Sequence, residues 1–160
     1  SLASSFSKIH IILSFPDSKH LKTNTMKKLL LILMFVPLVS FGQDFKVVRV
    51  IDGDTFIIEG GERVRMIGID APELKDLYGV ESKNHLKALI QNKHVKLIKG
   101  VVTANKDYFK RLLRYVYIDS TDINLKMIED GFASVYLKYP FSKSSEYKTI
   151  FDYIKTNKLR

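Results

Sequence analysis

A pair of glycines, Gly60-Gly61, stands between two apolar runs and constrains the fold more tightly than any other feature of the chain. Both residues accept positive φ, which a tight hairpin requires. Residues 55–59 before the pair and 62–69 after it therefore read as antiparallel strands. Residues 45–51, rich in Val, supply a strand ahead of them. In an antiparallel hairpin the start of one strand lies beside the end of the other. Asp54 stands at that start and Asp70 at that end, so two carboxylates sixteen positions apart in sequence are expected to be neighbours in space.

The rest of the chain extends this β-rich beginning. Residues 80–91 carry Leu86, Leu89 and Ile90 at helical spacing and predict an amphipathic helix. Residues 94–98 alternate as a fourth strand, 100–109 form a polar loop, and 112–118 form a fifth strand. Asn124 is suited to cap a short helix running to Asp130, with Gly131 ending it. Ser144 or Ser145 is placed to cap a last helix carrying Tyr147, Ile150, Phe151 and Ile154. Five short strands with a helix between the third and fourth predict an α+β, mainly β domain: a five-stranded OB-type barrel with about three helices. Other small α+β domains fit the same order.

Ahead of the strands, residues 26–42 have the pattern of a secretory signal. Met26-Lys27-Lys28 is a basic opening, an apolar run follows, and Ser40-Phe41-Gly42 leads to an expected cleavage before Gln43. The alternative is an uncleaved anchor, for which the run is short. Residues 1–25 lie upstream of that signal and read as an extension that is not native to the protein. Residues 43–160 would then be the mature domain, secreted or periplasmic, with no stable membrane association, and a monomer. The chain carries a formal charge of +9, more than half of it within residues 43–160, which suits polyanions as well as plain solubility. It has no cysteine, so thiol and iron–sulfur chemistry is excluded.

Several residues near the hairpin are suited to chemistry. Asp54 and Asp70 together offer oxygen ligands to a hard cation such as Ca²⁺; as turn residues they serve equally to satisfy backbone amides. Arg65 shares its strand face with Ile67 and Ile69, so its guanidinium needs a carboxylate, a bound phosphate or a route to solvent. Glu73 follows Pro72 in a stiffened loop, where a fixed carboxylate near a metal can orient or deprotonate water, and where a glutamate standing alone is simply solvated. Arg111 precedes the fifth strand in a crowded basic stretch, either facing a phosphate or solvated. Tyr108, Phe109, Tyr136 and Tyr139 are interleaved with Lys and Arg, a pattern that serves base stacking or core packing.

Three stretches in order, Val50-Ile51-Asp52-Gly53-Asp54-Thr55, Val64-Arg65-Met66-Ile67-Gly68-Ile69-Asp70-Ala71-Pro72-Glu73 and Arg111-Leu112-Leu113-Arg114-Tyr115-Val116-Tyr117, followed by Gly131-Phe132-Ala133, resemble the staphylococcal nuclease (thermonuclease) family. The resemblance covers most of residues 45–140. It implies an OB-type barrel with three helices and Ca²⁺-dependent hydrolysis of phosphodiester bonds in DNA and RNA, leaving 3′-phosphorylated ends. It makes Asp54 and Asp70 metal ligands with the Ala71 carbonyl as a third, and Asp52 an outer carboxylate. It puts Arg65, Glu73 and Arg111 on catalytic positions and makes Tyr136 and Tyr139 part of a base-binding wall. One departure bears on the site. The family often has Tyr-Gly-Arg where this chain has Phe109-Lys110-Arg111, which changes the loop that aims Arg111. The alternatives are an OB module that binds nucleic acid without cleaving it, and an envelope-associated domain that uses its charge against other polyanions.

Overall fold

The computed structural model of the protein describes residues 44–158. The upstream extension and the signal segment fall outside the described residues. The strands are β1 (Asp44–Val50), β2 (Thr55–Ile58), β3 (Arg63–Met66), β4 (Ile69–Asp70), β5 (His94–Lys99), β6 (Leu112–Ile118), β7 (Thr121–Asp122) and β8 (Ser134–Val135). The helices are α1 (Gly79–Ile90), α2 (Ile123–Glu129) and α3 (Ser144–Lys158).

Alternating apolar residues build a closed wall. Val47, Phe56, Val64, Val95 and Val116 come from five different strands and are fully buried. Val64 and Val95 stand between polar neighbours, which turns one side of β3 and β5 inward, whereas in β2 and β6 the neighbouring Thr55 and Tyr115 are buried too. The sheet runs β3-β2-β1-β5-β6-β7, and a further β3–β6 pairing closes β3, β2, β1, β5 and β6 into a ring, with β7 on its rim. That closing pair is parallel, with Val64 opposite Leu112, Arg65 opposite Leu113 and Met66 opposite Arg114. The result is a five-stranded mixed barrel with three helices, an α+β fold. The expected hairpin is present: Thr55 pairs with Arg65 and Ile57 with Arg63. Gly60 and Gly61 take φ of 89° and 86°.

The third strand is shorter than its apolar pattern predicts. It stops at Met66, and the chain turns at Gly68 with φ 76°. A Cβ at Gly68 would lie 2.5 Å from the Phe141 ring, so packing and backbone both require glycine. The turn frees Ile69-Asp70 to pair with Ser134-Val135 as β4–β8. Asp70 is thereby fixed on a separate two-stranded ladder.

The cap expected at Asn124 is supplied instead by Asp122, whose side chain accepts the Leu125 N–H. Asn124 is fully buried and serves the barrel. Its Oδ1 accepts the Val116 N–H at 2.9 Å, and its Nδ2 donates to the Ile67 and Arg114 carbonyls at 2.9 and 3.3 Å. A buried amide with backbone on both sides replaces ladder bonds that β6 lacks there. Among the described residues no helix is long and apolar enough to cross a membrane.

Candidate functional site

The turn between β1 and β2 carries Asp54. Its N–H donates to Asp52 Oδ1 at 3.1 Å, so Asp52 holds the turn. The Asp54 side chain is buried. Its Oδ1 accepts from the Thr55 hydroxyl at 3.0 Å, and its Oδ2 accepts from the Ala71 amide at 3.0 Å. Burial pushes the Asp54 carboxyl up to about 6, even though the Arg65 charge and the Ala71 and Thr55 hydrogen bonds pull the other way; the nearby Asp52 adds to the rise.

Arg65 ties this turn to β4. Its Nη1 donates to the Met66 and Ile69 carbonyls, both at 2.8 Å. Its Nη2 lies 3.0 Å from Asp70 Oδ1 and 3.0 Å from Asp54 Oδ2. The guanidinium that the strand pattern directs toward apolar neighbours therefore finds both carboxylates, and the carbonyls of Met66 and Ile69 on either side of the turn at Gly68. The expected meeting of Asp54 and Asp70 occurs around one nitrogen.

Arg111 reaches the same cluster from the start of β6. Its Nη1 donates to Thr55 Oγ1 at 3.3 Å, and Thr55 in turn donates to Asp54. Its Nε donates to Asp107 Oδ2 at 2.7 Å, and its backbone N–H donates to Asp107 Oδ1 at 2.9 Å. Lys110 accommodates the missing glycine by taking φ 60°, with its N–H bonded to the Asp107 carbonyl at 3.0 Å. The turn closes and Arg111 remains joined to Thr55. The Phe109 ring lies under the guanidinium, 5.3 Å from Cζ to centroid.

Arg65, Asp70 and Arg111 line a cleft of about 650 Å³. Tyr108, Phe109, Tyr136 and Tyr139 line it as well. Tyr108 is 94% exposed and meets Phe109 edge-on; Tyr136 and Tyr139 form a second aromatic pair, their centroids 6.1 Å apart. None of the four is core; among the tyrosines, Tyr115 and Tyr147 are buried instead. Glu73 is exposed and lines an adjoining cleft with Asp70, Ala71 and Pro72. Two contributors escaped the sequence reading, Thr55 and Asp107. Thr55 stands within the Asp-Gly-Asp-Thr run, where only its neighbours drew attention, and Asp107 sits in a polar loop without periodicity.

The donor chemistry fits a hard cation. Among the described residues no three His, Cys, Asp or Glu side chains gather around one point, so a cation here would draw on two carboxylates and complete its shell from carbonyl and water oxygens. Asp54 Oδ2 and Asp70 Oδ1 share one nitrogen at 3.0 Å each. The Asp70 side chain is 53% exposed, so water can complete a cation's shell on that side. A buried carboxylate held above its usual range is stabilised in its charged form by a bound cation.

A small barrel with acidic and basic side chains interlocked on its wall, beneath aromatic residues, defines an OB-type domain. The chain belongs to the staphylococcal nuclease family: the family described as staphylococcal nuclease homologue matches residues 63–158. A Haemophilus influenzae protein described as an uncharacterized endonuclease is 37% identical over 98 residues, covering 59% of this chain and 53% of that protein. An Escherichia coli O157:H7 protein of the same description is 34% identical over 121 residues, covering 71% of this chain and 76% of its own. A Staphylococcus intermedius thermonuclease is 37% identical over 101 residues, covering 58% of this chain and 59% of that enzyme. The chain thus spans about half the length of the Haemophilus relative and three quarters of the Escherichia one.

Proposed function

We propose that the protein is an exported, monomeric, Ca²⁺-dependent nuclease that hydrolyses phosphodiester bonds in DNA and RNA and leaves 3′-phosphorylated ends. The observation that carries this reading is the linked cluster Asp70–Arg65–Asp54–Thr55–Arg111 beside an aromatic-lined cleft. Its relatives named as endonucleases and thermonuclease support it.

Asp54 and Asp70, with the Ala71 carbonyl, would hold Ca²⁺, which when bound adds positive charge beside the phosphate. Arg65 and Arg111 bring two fixed cations toward the phosphate. Charge grows on the non-bridging oxygens as the phosphodiester is attacked, and donors fixed in advance stabilise it without reorganising. Glu73, exposed beside Asp70 and Ala71, takes a proton from the attacking water or orients it. Tyr108, Phe109, Tyr136 and Tyr139 offer faces to the bases, which stack on aromatics with little regard to sequence. Asp52 keeps the Asp54 turn in shape.

The test is degradation of single-stranded DNA by the purified protein with added Ca²⁺, then with chelator. Cleavage is expected with Ca²⁺ alone and is expected to fall about 100-fold or more in Arg65→Ala. Near-full activity in that variant would refute these roles. Binding without cleavage, insensitive to Ca²⁺, would instead identify a nucleic-acid-binding module.

A further inference from the structure

Arg111 is held from three sides, and the strongest hold comes from a residue outside the proposed chemistry. Asp107 Oδ2 lies 2.7 Å from both Nε and Nη2, while its Oδ1 accepts the backbone N–H of the same arginine. A guanidinium has five N–H donors in a rigid plane. Asp107 takes the Nε–Nη2 edge, and Thr55 takes one N–H of Nη1. The N–H groups at the far end of the two Nη atoms are left for a phosphate oxygen in the cleft that Arg111 lines. Arg65 is arranged differently, with both Nη atoms already against carbonyls and carboxylates.

We propose that Asp107 is a positioning residue: by gripping one edge of Arg111 it sets the plane of the guanidinium and aims its opposite edge at the phosphate. The inference rests on the nuclease reading. The surroundings favour it over a merely structural pair. Asp107 does more than neutralise the charge of Arg111, whose side chain is 20% exposed. Its two oxygens do separate tasks, one closing the turn and the other orienting the side chain. The Phe109 face below and the Thr55 hydroxyl complete a cradle that leaves the guanidinium little rotational freedom.

The split between the oxygens gives a clean variant. Asp107→Asn keeps an oxygen for the Arg111 amide and replaces the oxygen facing Nε with an NH₂ that cannot accept. Cleavage of single-stranded DNA, urea unfolding and a double-mutant cycle with Arg111→Ala are measured together. The expected result is a kcat about 10- to 100-fold lower, as for a displaced catalytic group, with KM and the unfolding midpoint held. In the Arg111→Ala background the same change is expected to have no further effect on rate. Wild-type kcat in Asp107→Asn would overturn the proposal, as would an equal loss in the Arg111→Ala background or a rate loss matched by lost stability. If the wild-type protein cleaves nothing, the nuclease reading falls by itself. The Arg111 Nε–H resonance in an NMR spectrum then decides the positioning claim: a well-resolved, slowly exchanging signal in wild type that is lost in Asp107→Asn upholds it, and the same signal in both proteins overturns it.

Discussion

Replacing Asn124 with alanine removes an amide that satisfies backbone on two sides of the barrel. Val116 loses the acceptor for its N–H, and Ile67 loses the donor to its carbonyl. The Arg114 carbonyl is not orphaned, because it still accepts the Ile67 N–H at 3.0 Å. Two buried polar groups are therefore left without partners. Each costs about 1–3 kcal/mol, so the variant should lose about 2–6 kcal/mol. That is a large part of the roughly 5–15 kcal/mol that holds a domain together. The assay is urea unfolding, comparing midpoints at constant slope. Asn124→Asp sharpens it. An aspartate keeps an acceptor for Val116 but turns its other oxygen toward the Ile67 and Arg114 carbonyls. It should be at least as unstable as alanine at neutral pH and recover in acid, where the carboxyl can donate. An alanine variant that loses less than about 1 kcal/mol would refute the claim that this amide completes the barrel's hydrogen bonding.

Two further outcomes are expected. At Lys110, held at φ 60°, Lys110→Val should lose about 1 kcal/mol or more because a β-branched residue resists left-handed backbone, while Lys110→Gly should hold or gain stability; urea unfolding in which glycine is the less stable of the two would sink the turn assignment. The Asp54 carboxyl titrates near 6 in the folded metal-free protein, above its usual 3.8, so folding binds its proton more tightly. The stability it contributes is full below pH 3.8 and is lost as pH rises through about 6. In chelator, the stability of wild type relative to Asp54→Asn should therefore fall between pH 4 and 7, and parallel pH curves for the two proteins would contradict it.

The hairpin was legible because a glycine pair between apolar runs fixes both pairing and direction, and the meeting of Asp54 with Asp70 followed from geometry alone. The break in the third strand was not, because Ile67 and Ile69 continue the apolar alternation, and Gly68 reveals its role only against Phe141. Asn124 shows the limit of local chemistry. Its residue type suits a helix cap, yet Asp122, two positions earlier, caps, and Asn124 turns inward to partners more than fifty residues away along the chain as well as nearby. Asp107 carried no signal, since a polar loop offers no period and its partner depends on the turn that Lys110 closes. The aromatic residues of the cleft could be named but not separated from core tyrosines until burial was known.

The parallel contact between β3 and β6 has a consequence for how the protein is made. Arg65 sits on one of these strands, and Arg111 lies one residue before the other. The chain between them includes α1 and β5, so neither a local turn nor a hairpin can bring the two arginines together. They join one cluster, through Thr55 and Asp54, only when the barrel shuts, a contact of large sequence separation, whose loop entropy is lost before its contacts form. An incompletely folded chain can own its hairpin, its carboxylates and even its Asp107 turn, and still lack a site. Until β3 and β6 pair, the Asp54 turn and the Asp107 turn are separate pieces, and the link from Arg111 through Thr55 to Asp54 has nothing to hold it.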